Sequence, residues 1–244
     1  EIIVTPSAWR LIRNDCVADV MEFELKESIA QGGRLKSLNK PSSIFEMPKA
    51  PAIPDGVESS LRPYIPGAII NRLTAGQSGW IAELRRVTVL FINLPDIDQK
   101  TKLEEAQNLA RLIQRSAYRY EGSINKISVD DKGLSLIAVL GMPPLSHEDD
   151  PRRGLLLALK MRALIRELGF KPSIGVTTGR AFCGVIGSQR RREYPLLGDI
   201  VNLSARLMVA SAGSVLCDQA THDFAEEHFD FEPRPPLKLK GKAA

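Results

Sequence analysis

The stretch from residue 173 to residue 208, SIGVTTGRAFCGVIGSQRRREYPLLGDIVNLSARLM, constrains this chain more than any other. Two apolar runs, residues 173–178 and 181–186, are separated by Gly179-Arg180 and predict a β-hairpin. Gly198-Asp199 then reads as a helix entry, with Asp199 as an N-cap whose carboxylate accepts from the unpaired amides of the first turn. The cassette is therefore strand, turn, strand, loop, helix. On that helix Asn202 and Arg206 stand four residues apart. At 3.6 residues per turn an amide and a guanidinium share one stripe and aim at one target, an anion or a polyol.

The rest of the chain surrounds this cassette with mixed elements. Residues 87–94, VTVLFINL, are a buried-strand run of β-branched and aromatic residues. Leu103, Ala106, Leu109, Ala110, Ile113, Ala117 and Tyr120 then recur at three- and four-residue steps and define one apolar helix face. Strands at 123–128 and 134–140 follow, joined by DDKG, then a helix over 151–168. A strand at 215–217, a helix near 219–228 and terminal strands complete the pattern. This order is that of an α+β fold, a ferredoxin-like antiparallel sheet with helices on one face.

Upstream, residues 38–66 carry KPSS, PKAPAIPDG and RPYIP, a proline-rich run that opposes sustained helix or ladder pairing and reads as a linker. Residues 67–84 read as a helical lead-in, and the principal domain as 85–244. Residues 1–37 are set apart: EIIVTPSAWRLI predicts a strand and a short helix, and GRLKSL another strand. That piece has too little core to fold alone, so Ile2, Ile3 and Val4 need a sheet that the chain does not supply. The chain opens on Glu1 rather than methionine and reads as a piece of something longer.

Composition removes several classes. No apolar run approaches the roughly 20 residues of a membrane helix, and no signal peptide is visible. Cys16, Cys183 and Cys217 are odd in number and far apart, which opposes a disulfide framework or zinc site and suits a reducing, cytoplasmic setting. His147, His222 and His228 have no ligand spacing and are assigned no metal. The formal charge of +4 is dispersed apart from Arg190–Arg192, and aromatics are only 6%, so no base-stacking platform for nucleic acid is present. The excess charge is compatible with a polyphosphate ligand.

The run EYPLLGDIVNLSARLM resembles the nucleotide-contact segment of the class III nucleotidyl cyclases, with their G-(D/N)-x-V-N-x-A-x-R pattern. VTVLFINL at 87–94, INK at 124–126 and LKLKGK at 237–242 match further motifs of that family in the same order. The span from Lys126 to Gly141, with its DKG turn, is most similar to the second (C2-type) domain of the soluble, bicarbonate-responsive adenylyl cyclases. The resemblance implies a nucleotide-cyclising domain that works as one half of a head-to-tail pair. Residues 1–37 then resemble the tail of an upstream cyclase domain.

The same resemblance assigns roles. Asn202 matches the residue that orients the ribose, Arg206 the one that stabilises the transition state at the phosphates, and Lys126 the one that contacts adenine. Lys242 resembles the terminal triphosphate-contacting lysine, with Lys238 and Lys240 close enough to compete for that register. Pro195 stands where a purine-selecting polar residue is expected. It has no donor, which leaves base selection to Lys126, the backbone around Leu196 and Leu197, or a partner domain. The first metal-binding carboxylate is expected at Asn93, and an amide is a poor substitute for it. Asp130 has the offset of the second, but the hairpin is about four residues longer than in the metal-binding domains, which favours a solvated turn carboxylate. Magnesium or manganese would be held mainly by the partner, either an upstream domain of the same polypeptide or a second copy, with none bound by this chain alone.

Two functions follow from the resemblance. One is the C2-type half of a tandem adenylyl cyclase converting ATP to cyclic AMP and pyrophosphate, inactive as this fragment. The alternative is a catalytically inactive cyclase-like module that binds nucleotide or a small anion to regulate its neighbours.

Overall fold

A computed structural model describes residues 1–25, 28–39, 54, 56–65, 69, 70, 74, 76, 83–98, 100–143, 145–187 and 192–235. The chain divides into two units, Glu1–Pro54 and Asp55–Ala244.

In the first unit, strands β1 (Ile2–Val4), β2 (Cys16–Leu25) and β3 (Ser28–Leu38) form an antiparallel sheet in the order β1-β3-β2. Helix α1 (Pro6–Ile12) starts on Pro6, which fits the first turn because its missing N–H would have had no helical partner. It buries Trp9 over Gly33, where an added Cβ would lie 2.7 Å from the indole ring. Val4, Trp9 and Cys16 are the buried cluster. The strand, helix and GRLKSL strand lie where the sequence predicts them. The partner of β1, however, is not missing from the chain. It is β3, with Ile2 opposite Leu35 and Val4 opposite Gly33. Strand β2 escaped the sequence reading, although Phe23 and Leu25 alternate with Glu22 and Glu24 at the strand period of two.

In the second unit a short helix α2 (Val57–Leu61) and a 3₁₀ turn at Arg62–Tyr64 interrupt what reads as a plain linker. Most of the expected helical lead-in lies outside the described residues. Its last two residues are not helical: they open strand β4 (Glu83–Leu94). Helix α3 (Leu103–Arg119), strands β5 (Ser123–Asp130) and β6 (Gly133–Leu140), helix α4 (Asp150–Glu167) and strand β7 (Ser173–Cys183) follow. Short strands β8 (Ile186–Gly187), β9 (Arg192–Glu193) and β10 (Leu196–Leu197) lead to helix α5 (Asp199–Ser211), strand β11 (Val215–Cys217) and helix α6 (Gln219–Asp223). The sheet order is β10-β7-β4-β6-β5, with β11 parallel beside β7. The expected terminal strands at 236–244 lie outside the described residues.

The α+β ferredoxin-like sheet is present, with α3 and α4 together on one face. Leu90, Ile92 and Leu94 of β4, Leu136 and Ala138 of β6, and Ile174 and Val176 of β7 meet Leu109, Ile113, Leu157, Met161 and Ile165 there. The alternate residues Val87, Val89, Val139, Ala181 and Cys183 point to the other face, where Ile200 and Val201 of α5 pack on them.

This second face corrects the hairpin expected at Gly179-Arg180. Residues 173–183 are one continuous strand that pairs with β4 along its length, from Ser173 opposite Asn93 to Cys183 opposite Glu83. The glycines serve close approach of a helix. A Cβ on Gly175 would overlap the Ser204 carbonyl oxygen and lie 2.5 Å from the Met208 nitrogen. One on Gly179 would lie 2.7 Å from Ile200 Cγ2. Helix α5 thus rests almost directly on the β7 backbone. Its N-cap is Gly198, one residue before the expected Asp199, which instead places its charge in the first helical turn.

A buried polar chain ties β4, β7 and α6 together. Thr88 Oγ1 and Thr178 Oγ1 are 3.0 Å apart, Thr178 Oγ1 and Thr221 Oγ1 are 2.9 Å apart, and Asp218 Oδ1 caps α6 by accepting from Thr221 N at 3.0 Å. Burial pushes the Asp218 carboxyl above its ordinary value, against the opposing pull of its bonds from Thr221. No helix of the described residues is long and apolar enough to cross a membrane.

Candidate functional site

Helix α5 buries Ser204, Leu207, Met208 and Ser211 against the sheet. At 100° per residue, Asn202 and Arg206 then fall on the opposite side of the helix, and both are exposed. The pair shares a stripe as the spacing predicts. That stripe looks away from its own sheet, so anything held there needs a second surface to enclose it.

Asn93 lies near the end of β4 on the α5 face of the sheet, opposite Ser135 of β6. Its Nδ2 donates towards Lys132 O at 3.1 Å, Leu134 O at 3.2 Å and Ser135 Oγ at 3.2 Å. These acceptors belong to the β5–β6 turn and the strand leaving it. The amide is a staple holding the hairpin tip to the end of β4. A carboxylate there would face two carbonyl oxygens with no proton to offer.

The hairpin itself is long in its strands and tight in its turn. Asp130 pairs with Gly133, leaving Asp131-Lys132 as a two-residue loop, and Gly133 turns at φ +92. Asp130 Oδ1 accepts from Lys132 N at 2.8 Å, and both Asp130 and Asp131 are exposed.

Lys126 lies on β5 opposite Ile137, which packs on the α5 face of the sheet, so Lys126, Asn93 and α5 share one face. The ladder slips between Ile124 and Lys126, leaving Asn125 as the extra residue of a β-bulge. Asn125 Nδ2 reaches Tyr194 O at 3.1 Å, so β5 is tied one residue before Lys126 to the loop one residue before Pro195. Sequence reasoning missed Asn125. Nothing in the run INK marks which residue is the bulge.

Leu196 is buried in the apolar cluster of this face and pairs with Cys183, while Leu197 is half-exposed opposite Phe182. Lys242, Lys238 and Lys240 lie outside the described residues. On α6 and the 3₁₀ turn after it, ligand atoms of His222, Asp223 and Glu226 come within 4.8 Å of one another. Gln219 Nε2 already donates to Asp223 there at 2.6 Å.

The profile of the family described as "Adenylate and Guanylate cyclase catalytic domain" matches residues 81–244. The chain belongs to that family. Its cyclase domain begins within two residues of Glu83, where β4 starts, and thus coincides with the larger sheet. Adenylate cyclase type 10 of Homo sapiens is 33% identical over 199 residues, 77% of this chain and 12% of that protein. The Rattus norvegicus protein of the same name is 31% identical with the same coverage. The chain therefore spans about an eighth of the length of these relatives. Because 199 residues align, more than the cyclase domain holds, the likeness reaches upstream of residue 81.

Among solved structures, the adenylyl cyclase CyaB from P. aeruginosa matches with a TM-score of 0.61 at 21% identity, over 67% of this chain and 92% of that one. The guanylyl cyclase Cya2 matches with a TM-score of 0.58 at 22% identity, over 67% and 89%. At these identities the cyclase fold is what is shared.

Proposed function

We propose that this chain carries the C2-type half of a tandem adenylyl cyclase that converts ATP to cyclic AMP and pyrophosphate. One contrast carries the reading: the Asn202 and Arg206 stripe faces outward from an intact α5, while Asn93, at the family's metal-carboxylate position, spends its amide on the hairpin. In this reading the chain supplies nucleotide contacts and leaves the metal to a partner.

In cyclisation the ribose 3′-oxygen bonds to the α-phosphorus as the bond from that phosphorus to the bridging oxygen breaks. The 3′-hydroxyl proton is lost and pyrophosphate leaves. Asn202 would orient the ribose by hydrogen bonding, which raises the fraction of in-line geometry. Arg206 would donate to phosphate oxygens as charge moves toward the leaving group, where a preplaced cation acts most strongly. Lys126 would contact the adenine, the backbone at Leu196 and Leu197 would border it beside Pro195, and Lys242 would meet the triphosphate. Three strand spacings of about 4.8 Å separate β5 from β7, the strand over which α5 begins, so Lys126 stands about 14 Å from it across the sheet.

The residues present do not fit magnesium or manganese: Asn93 offers an amide already used as a donor, and Asp130 closes its own turn. Those ions belong on the partner in this reading. The partner is an upstream first domain packed head to tail. Residues 1–37 repeat the end of the cyclase domain in outline, since Ile2–Val4, Thr5 and Pro6–Ile12 correspond to Val215–Cys217, the N-cap Asp218 and Gln219–Asp223. A second copy of this chain would bring a second Asn93 and no carboxylate.

Metal-dependent cyclic AMP formation by the full-length protein, set against its absence from residues 1–244 alone, tests the reading. Robust cyclase activity of the isolated fragment would reject this division of labour. Pro195 favours a second reading, an inactive nucleotide- or anion-binding module, which predicts ATP binding by the full-length protein without turnover.

A further inference from the structure

Pro195 leaves the base position without a side-chain hydrogen-bonding group, yet the structure supplies one from across the sheet. Asn125 is the extra residue of the β5 bulge, and a bulge re-aims the side chain it carries. Tyr194 O can only accept, so the atom of Asn125 that faces it must be Nδ2. That bond fixes the amide against rotation. Oδ1 is held turned away from Tyr194, and among the described residues no donor reaches it. Directly next in sequence stands Lys126, whose ammonium only donates. An oriented acceptor and a donor therefore sit side by side on one strand, tied to the loop that carries Pro195.

Resting on the cyclase reading above, we propose that Asn125 is a specificity-determining residue that reads the adenine edge. Oδ1 accepts from the 6-amino group while Lys126 donates to the neighbouring ring nitrogen N1. Guanine offers its 6-oxygen and its N1–H in the reverse order, so it would set oxygen against oxygen at Asn125 and N–H against ammonium at Lys126. The locked amide cannot turn over to accommodate it. Discrimination arises because a mispaired buried polar group costs more than a correct pair contributes.

The test uses the full-length protein with two probes, ATP and purine riboside triphosphate, which lacks only the 6-amino group. Competition against a fluorescent ATP analogue measures binding of each, and kcat/KM is compared where turnover occurs. Wild type should favour ATP on the order of 10-fold, and Asn125→Ala should erase that preference while binding the deaminated analogue as before. Asn125→Gln, which keeps the amide, should restore part of it. A variant that loses both nucleotides equally would make Asn125 a packing residue and overturn the assignment. Equal binding of the two probes by wild type would overturn it without touching the cyclase reading, and needs no variant to fold. No ATP binding at all would remove the cyclase reading and this inference together.

Discussion

The side-chain amide of Asn93 donates to the carbonyl oxygen of Lys132 at 3.1 Å, across 39 positions of sequence. Asn93, the position at which the sequence resemblance expects a metal-binding carboxylate, has a structural task in this fold, and a carboxylate placed there would undo that task. Asn93→Asp should lower stability by about 1–3 kcal/mol, the cost of setting an acceptor against acceptors. For a domain of this size that corresponds to a fall of roughly 2–10 °C in Tm. Manganese should not recover it. A melt of N93D that rises steeply with added manganese would show instead that the site had kept its metal geometry.

The glycines of β7 can be ranked by what each would strike. At Gly175 a methyl meets the backbone of α5 at Ser204 and Met208, which cannot rotate aside. At Gly179 it meets a methyl of Ile200. Gly175→Ala should therefore cost at least ~1–3 kcal/mol by forcing the helix off the sheet, and Gly179→Ala clearly less. Pairing Gly179→Ala with Ile200→Ala, which removes Cγ2, should relieve the second cost, whereas the same change beside Gly175→Ala should leave the first unchanged. Urea unfolding of the single and double variants gives the order directly.

Those same glycines show where sequence reading stops. The strands at 123–128 and 134–140, the helix at 103–120 and the stripe of Asn202 and Arg206 follow from local periodicity, and the structure has them. A glycine followed by arginine between two apolar runs looks locally like a turn. Only the helix that arrives twenty residues later explains why β7 runs straight through it. Asn93 and Asn125 pose the same problem. Each is an ordinary amide in its own strand, and its partner at Lys132 or Tyr194 is fixed by sheet register and by a bulge, which no short window contains. The tail lysines of the expected triphosphate contact lie outside the described residues.

Asp218 yields a pH prediction with a definite sign. Burial raises its carboxyl above 3.8, so the folded state holds the proton to higher pH than the unfolded chain. Its contribution is fully present below 3.8 and is lost as pH rises through the folded-state value. All three of its accepted bonds, from Thr178 N, Thr221 N and Thr221 Oγ1, reach Oδ1, which asparagine can also present. Asp218→Asn should thus keep the cap and gain on wild type as pH rises from 4 toward neutrality, whereas Asp218→Ala should lose about 0.5–2 kcal/mol throughout. Thermal melts of the three proteins across that range check both statements. A wild-type advantage over D218N that grows with pH would contradict the sign.

Arg206 separates a transition-state role from a binding role. In the full-length protein Arg206→Ala should reduce kcat by ~10²-fold or more with a smaller change in ATP affinity, the pattern of a donor used mainly as charge moves to the leaving group. A melt of the same variant separates a loss of fold from the loss of a transition-state contact. Steady-state kinetics and a melt on the same sample suffice. Unchanged turnover would remove the central residue assignment.

The small sheet of residues 1–38 completes the set, because its strand β1 stands at an edge with Ile2 61% and Ile3 52% exposed. Its buried core is Val4, Trp9 and Cys16, too little to resist local opening as the main sheet does. Hydrogen exchange on this chain should find the amides of β1–β3 far less protected than those of β4 and β7. Trp9→Ala should abolish that residual protection while sparing β4. In the cyclase domain the corresponding strand β11 lies parallel beside β7. If residues 1–37 end an upstream cyclase domain, the free edge of β1 should find the same partner there, and exchange in the longer protein should slow at Ile2, Ile3 and Val4. Equal exchange at those amides in the short and long proteins would show that β3 is the only strand they ever pair with.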